Sequence, residues 1–378
     1  MASISSCVIG VLLVLQSAPA QKPERAAIVE LGAVLEPIRA KYDIPALAAA
    51  IVSRGELEAV GVCGVRKRGS DVKVTLDDRF HLGSCTKAMT ATLCAILVEK
   101  KQLAWDSSLV DAFGANVKES KPAWKSVQLQ HLLTNRSGAP ANLDADGLWL
   151  RLFTSTESPL LQRLELAKGV LAREPESAPG QKYLYSNAGF SLAGAMAERA
   201  TKCDYEALIR RELFVPLGMT SAGFGPPGNG VDLDQPRGHR PDGGTVPWGP
   251  GSDNPAAIAP AGRVHCSISD WAKFIALHLD AENGRARLLT AESFTRLHTP
   301  ASGPGEQYAM GWLVAERAWA DGKVLTHSGS NTMWFCVAWL APKKDFAVLI
   351  CANQGGDAAQ KACDAAAGAL IELHAGKH

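Results

Sequence analysis

FHLGSCTKAMTATLCAIL, residues 80–97, sets a serine and a lysine three positions apart where an apolar helix begins. Three residues is about one helical turn, so the side chains of Ser84 and Lys87 share a face. A hydroxyl is a poor nucleophile until a base removes its proton, and a lysine amine can do so if its surroundings lower its pKa. A helix cap followed by a surface lysine would look the same, and SxxK is expected about once or twice by chance in a chain this long. The chain holds a second copy, Ser70-Asp71-Val72-Lys73. Context separates the two. Ser70 sits in turn chemistry, Gly69-Ser70-Asp71, and leads into the β-branched run Val72-Lys73-Val74-Thr75, so Lys73 does not stack one helical turn above it. Ser84 leads into Ala88, Met89, Ala91, Leu93 and Ala95, good helix formers. A helix N-terminus also offers free N–H groups and partial positive charge to a developing oxyanion.

Around this stretch, 378 residues allow one large domain or two interleaved ones with ample core. Lys+Arg number 39 against 38 Asp+Glu, which gives no general drive toward nucleic acid or an anionic membrane. The first twenty residues, MASISSCVIGVLLVLQSAPA, carry an apolar stretch (7–15) too short to span a bilayer and end in small-x-small, Ala18-Pro19-Ala20. They read as a signal peptide, with export to the periplasm or exterior, although no Lys or Arg precedes the apolar stretch. No stable membrane insertion is expected after cleavage. Without Cys7, eight cysteines remain, and none is spaced as CxxC. Cys336 and Cys351 flank Pro342-Lys343-Lys344-Asp345 symmetrically and are placed to face each other across a hairpin. Directly opposed strand cysteines are often reduced, which weighs against a bridge.

Ile28, Leu31, Leu35 and Ile38 repeat at helical spacing, with Pro37 expected to kink or shorten that helix. ALAAAIVS (46–53) and LEAVGVCGV (57–65) read as strands joined across Arg54-Gly55-Glu56. The helix from Ser84 is expected to run to about Lys101. From 106 to about 219 helical patterns dominate, notably 160–172, 188–200 and 205–213. Between 225 and 262, 17 of 38 residues are Gly or Pro, which predicts a long loop, and loops of that length are usually functional. A helix over 269–279 precedes KVLTHSG, MWFCVAWL and FAVLICAN, read as strands, and a helix from about 357 to 374. Strands at both ends predict one sheet domain built from 21–105 and 265–378, with a helical region, 106–264, inserted between them.

Other patterns carry less. GFGPPG (223–228) matches GxGxxG, but its prolines and the lack of a preceding strand exclude a dinucleotide turn. Neither GxSxG nor HExxH occurs. His374 and His378 are four apart, yet Gly376 and the chain end favour a solvated tail over a metal pair. Cys85 points off the Lys87 face. A Ser–Lys site also needs a second proton carrier, an amide to orient substrate and a donor opposite the helix end. Tyr185-Ser186-Asn187, the chain's only YxN, stands immediately before an apolar helix. His327-Ser328-Gly329 ends a strand able to run beside the Ser84 helix, unlike the HxG copies at 81 and 374.

In this order, Ser84-x-x-Lys87, Tyr185-x-Asn187 and His327-x-Gly329, the chain resembles the serine hydrolases of the class C β-lactamase and DD-peptidase superfamily. LQHLLTNRSG (129–138), FVPLGMTSAGFG (214–225), PAGRVHCSISDWAKF (260–274) and MGWLV (310–314) support the likeness. The resemblance implies an α/β (α+β) fold, an antiparallel sheet flanked by helices with an inserted all-helical region and the site in the cleft. It implies Ser84 as nucleophile, Lys87 as general base and Tyr185 as proton relay. Backbone N–H groups of Ser84 and Ser330 would form the oxyanion hole, Asn187 would bind a substrate amide oxygen, and His327 would hydrogen-bond near Tyr185. No metal or organic cofactor is implied, and the partner is a small-molecule or peptide substrate. Asn135-Arg136 replaces the family's usual His-Thr, and Met333 stands where Gly is common, which is expected to crowd the approach. A β-lactamase of this type usually carries Lys in the third box, whereas His is mostly neutral at pH 7. That favours an esterase, DD-carboxypeptidase or D-aminopeptidase over a class C-like β-lactamase, with a non-catalytic binding or scaffold homologue as the alternative of another class.

Overall fold

The computed structural model describes residues 28–376, so the leader expected at 1–20 lies outside the described residues, as does His378. The main sheet takes its strands from the two ends of the described chain. They are β1 (Val29–Glu30), β2 (Ala46–Ser53) and β3 (Glu56–Gly64) from one end. A small second sheet supplies β4 (Arg79–His81), β5 (Gly223–Phe224) and β6 (Val264–Ser267). From the other end come β7 (Leu313–Arg317), β8 (Gly322–Ser330), β9 (Phe335–Ala341) and β10 (Phe346–Ala352). The order of the seven-stranded sheet is β1-β3-β2-β10-β9-β8-β7, antiparallel throughout except for β1 against β3.

The Ala-rich run of β2 suits its central place. Leu47, Ala49 and Ile51 pack on one face with Leu35 of α1 (Gly32–Lys41) and Leu370 of α6 (Asp357–Ala375). Ala46, Ala48, Ala50 and Val52 face the opposite layer, where α5 (Ile268–Glu282) lies on β2 and β10. A strand buried on both faces reads as a continuous apolar run, and small residues let the helix approach closely. The turn from β2 to β3 is two residues, Arg54 and Gly55, with φ of 52° and 75°. Positive φ at both centres is what a tight hairpin between twisted strands requires.

The Ser84 stretch sits between the two sheets. β4 hands over to a single 3-10 turn, Gly83–Cys85, and then to α2 (Thr86–Glu99). α2 is buried on every side from Thr86 to Leu97, as a helix apolar all round must be. α3 (Pro159–Leu171) and α4 (Asn187–Thr201) pack together, and α4 also packs on α2. No described helix is long and apolar enough to cross a membrane.

Several expectations needed correction. Ile28 is exposed and outside α1, which begins at Gly32 and runs ten residues with Pro37 inside it. The Ser84 helix starts two residues late, because Ser84 itself belongs to the 3-10 turn. The helix read over 205–213 stops at Ile209 and continues as a π-turn, Arg210–Phe214. The three short strands of the second sheet went unread, since two to four residues carry no usable periodicity.

Candidate active site

Ser84 is the only residue in the run 80–97 that is not fully buried. Lys87 Nζ donates to Ser84 Oγ at 3.1 Å, to Asn187 Oδ1 at 2.7 Å and to the carbonyl of Ala261 at 2.7 Å. Its side chain is wholly buried, with no carboxylate among those partners. Burial disfavours the ammonium and brings Lys87 down to about 7, with Cys85 acting weakly in the opposite sense. A buried amine held against a half-open hydroxyl is a base poised to take its proton. The other SxxK does nothing of the kind: Ser70 Oγ accepts its own turn's Val72 N–H, and Lys73 forms an isolated bridge with Val65.

The second box reaches the same oxygen. Ser186 caps α4 through Gly189 N–H at 3.1 Å, which sets Tyr185 just before the helix and Asn187 at its start. The Tyr185 hydroxyl interacts with Ser84, and its ring lies 4.7 Å from Lys87 Nζ. Burial raises the phenol, the Ser84 interaction lowering it only in part, so it stays protonated at neutral pH. Asn135, one of the departures from the family pattern, supports this segment. Its Oδ1 accepts Ser186 N–H at 3.0 Å and its carbonyl accepts Leu184 N–H at 2.8 Å. Asn tolerates the left-handed φ of 55° found there. Arg136 is buried and donates through Nη2 to the carbonyls of Gly303 and Pro304, tying down the segment before β7.

β8 closes the site. Its end runs so close to the nucleophile turn that a Cβ at Gly329 would meet the carbonyl of Leu82 at 2.0 Å and Ser84 N at 2.9 Å. A Cβ on Gly83 would lie 2.4 Å from Ser330 N. This contact brings the backbone nitrogens of Ser84 and Ser330 close to the same junction of strand and turn. His327 departs from expectation. Its Nδ1 bonds the carbonyl of Ser328 at 2.5 Å and its Nε2 meets the hydroxyl of Tyr308 at 3.1 Å, not Tyr185. The carbonyl fixes the proton on Nδ1, so Nε2 accepts from Tyr308, while the rings of His327 and Tyr308 each lie 6.3 Å from the Tyr185 ring. Burial, assisted by Lys87, lowers His327 to about 4. Tyr308 was missed because a lone Tyr beside MGWLV carries no motif; Ala261 was missed because it acts through its backbone.

Met333 does not crowd the cleft: it packs in the core beside Gly238 of the long loop. Cys85 is a poor nucleophile, its thiol raised by burial and directed at the carbonyl of His327. Cys336 and Cys351 do lie directly opposite in register, yet both are free thiols. Cys336 Sγ instead contacts the carbonyl of Leu82 at 3.1 Å and Cys85 Sγ at 3.5 Å.

The buried imidazoles carry a pH consequence. His265 and His327 are lowered to about 4 by burial, and His239, His278 and His298 are lowered for the same first reason. Below about pH 6.5 the unfolded chain takes up protons on these rings that the folded chain refuses. Their contribution is therefore present above about 6.5 and lost as pH falls toward 4. For each of His265 and His327 the loss at pH 5 is about 2 kcal/mol. Thermal melts at pH 7.5, 6 and 5 should show a steep decline, and a flat Tm across that range would contradict it.

A family model described as "Beta-lactamase" matches residues 31–372. Penicillin-binding protein 4 of Amycolatopsis lactamdurans is 26% identical over 331 residues, covering 84% of this chain and 83% of that protein. Unguisins hydrolase ungD of Aspergillus violaceofuscus (strain CBS 115571) is 25% identical over 249 residues, 62% of this chain and 42% of its own length. Among solved structures, the octameric penicillin-binding protein homologue from Pyrococcus abyssi superposes with a TM-score of 0.71 at 24% identity. It covers 90% of this chain and 76% of its own.

Proposed function

The chain belongs to the beta-lactamase family, and from that premise we propose that it is a serine hydrolase forming an acyl-enzyme on Ser84. Its substrates in this reading are esters or amides of the esterase, DD-carboxypeptidase or D-aminopeptidase type. The observation that carries it is Lys87, buried without an acid and 3.1 Å from Ser84 Oγ.

Ser84 Oγ attacks the substrate carbonyl as Lys87 takes its proton, and Tyr185 passes a proton to the leaving group. The Ser84 and Ser330 N–H groups stabilise the oxyanion, and a water then cleaves the ester along the reverse proton path. Asn187 gives its carbonyl oxygen to Lys87, which leaves its amide N–H groups for a substrate carbonyl. His327, uncharged at neutral pH, lacks the cation that would pair with a lactam carboxylate.

Small activated esters should accordingly be turned over well and β-lactams poorly. A charge-assisted hydrogen bond is about twice as strong as a neutral one, so the deficit is on the order of 1 to 2 kcal/mol, roughly tenfold or somewhat more in kcat/KM. The comparison is p-nitrophenyl butyrate against a chromogenic cephalosporin at several pH values. Cephalosporin turnover at β-lactamase rates near pH 7 would favour the class C-like alternative. Incubation with a fluorophosphonate and with a penicillin, followed by intact mass and peptide mapping, tests the reaction itself. A single adduct on Ser84 is expected. Labelling that persists in Ser84→Ala, or that maps to Cys85 or Ser70, would sink the assignment, and no adduct at all would point to a non-catalytic homologue. Export is proposed with it, and N-terminal sequencing of the mature protein should begin near Gln21.

A further inference from the structure

The long Gly/Pro-rich loop delivers one carboxylate beneath the site. Asp253 is 4% exposed, and donors reach it from separate segments. Asn331 Nδ2 donates to Oδ1 at 3.0 Å and Arg263 Nε to Oδ2 at 3.0 Å. His81 Nε2 lies 3.0 Å from Oδ1 and 3.1 Å from Oδ2, and the backbone N–H of Asn254 donates at 2.8 Å.

Each of the three side chains belongs to a different segment adjoining the site. His81 ends β4, and its Nδ1 accepts the N–H of Gly83 at 3.1 Å, the residue before Ser84. Because that N–H is a donor, Nδ1 must carry the lone pair and Nε2 the proton. The carboxylate thus selects the tautomer that lets the ring hold Gly83. Asn331 follows Ser330. Arg263 follows the turn whose Ala261 carbonyl holds Lys87. The segment beyond Ser330 is also strained: Thr332, β-branched, has a φ of 72°. Such a conformation persists only when its surroundings over-determine it. Here Thr332 N–H bonds Ser330 Oγ at 2.9 Å, Met333 O accepts His239 N–H at 3.0 Å, and Asn331 is tied to Asp253.

We propose that Asp253 is a positioning residue that fixes the spacing of the Ser84 and Ser330 N–H groups, through His81 and Gly83 on one side and Asn331 on the other. The inference rests on the reading of Ser84 as nucleophile. An ionised carboxylate only accepts, so it takes all these donors at once, whereas an asparagine would turn an NH2 toward at least one of them. Loss of one arm lets the two N–H groups drift where charge develops, and misplacement there is felt in the transition state more than in substrate binding.

The test uses purified full-length Asp253→Asn and Asn331→Ala, with active sites counted by fluorophosphonate titration. Turnover per titrated site is measured on a p-nitrophenyl ester and on its thionoester. Sulfur accepts hydrogen bonds poorly, so the ester-to-thionoester ratio reports the oxyanion donors rather than the base. In Asp253→Asn, kcat on the ester should fall roughly ten- to a hundredfold with KM within about threefold of wild type, and the ratio should fall with it. Asn331→Ala keeps the Asp253–Arg263 pair and should show a smaller change of the same kind; it carries the test if Asp253→Asn does not fold. A wild-type ratio and wild-type kcat per titrated site would overturn the proposal, however far Tm has dropped. A wild-type protein that takes no label at Ser84 would overturn the hydrolase reading and this inference together. Labelled wild type with an unmoved ratio overturns the positioning role alone.

Discussion

Lys87→Ala should lower kcat by roughly two to four orders of magnitude while moving KM far less, the pattern of a general base that acts in the transition state. The amine meets Ser84 Oγ, and with Asn187 and Ala261 accepting two of its hydrogens the deprotonated form turns its lone pair to Ser84. Among the described residues no second buried base bonds Ser84, so nothing in the site replaces it. Tyr185→Phe should cause a loss of the same order, because the phenol is the other group that interacts with Ser84. In the wild-type protein kcat/KM should rise with pH through about 7, where Lys87 loses its proton. Lys87→Met sharpens the test. Restoring the buried lysine from about 7 to its ordinary value would relieve on the order of 4 to 5 kcal/mol, while orphaning the Asn187 and Ala261 acceptors costs about 1 to 3 kcal/mol each. The two nearly cancel. An inactive protein with near-wild-type Tm is therefore expected, and losses under tenfold in both Lys87→Ala and Tyr185→Phe would place the proton path elsewhere.

Gly329→Ala should be nearly as damaging. The added methyl would stand 2.0 Å from the carbonyl of Leu82, and the clash is with backbone, which no side-chain rotation relieves. β8 would have to move off the nucleophile turn by a substantial fraction of an ångström, carrying Ser330 with it. Misplacing one oxyanion donor costs roughly a hundredfold in kcat or more. Because β8 is also held by β7 and β9, the sheet should survive. Circular dichroism close to wild type with kcat down at least about a hundredfold is the expected pair of results. Full activity in Gly329→Ala would mean that the close approach of strand and turn is not needed for the chemistry.

Much of this was written locally. The Ser84–Lys87 pair was legible because three residues of separation survive the change from α-helix to 3-10 turn, so the side chains still meet. β2, β8, β9, β10 and the longer helices were legible because each carries several turns or pleats of its own periodicity. The hydrogen-bond partner of His327 was not: Tyr185 does lie beside its ring at 6.3 Å, but only packing brings Tyr308, nineteen positions away, to its Nε2. The same holds for Ala261, which contributes a carbonyl and so leaves no trace in residue type. Asp253 is the extreme case. In a loop read only as long and Gly/Pro-rich, one aspartate is indistinguishable from its neighbours until the fold sets it against His81, Asn331 and Arg263. Sequence alone thus picked out the candidate reacting groups, whose chemistry lies in their own side chains and short spacings. Tertiary structure decided what surrounds and aligns them, since burial, tautomer and the approach of Ser330 to Gly83, too close to admit a Cβ, arise only where distant segments meet.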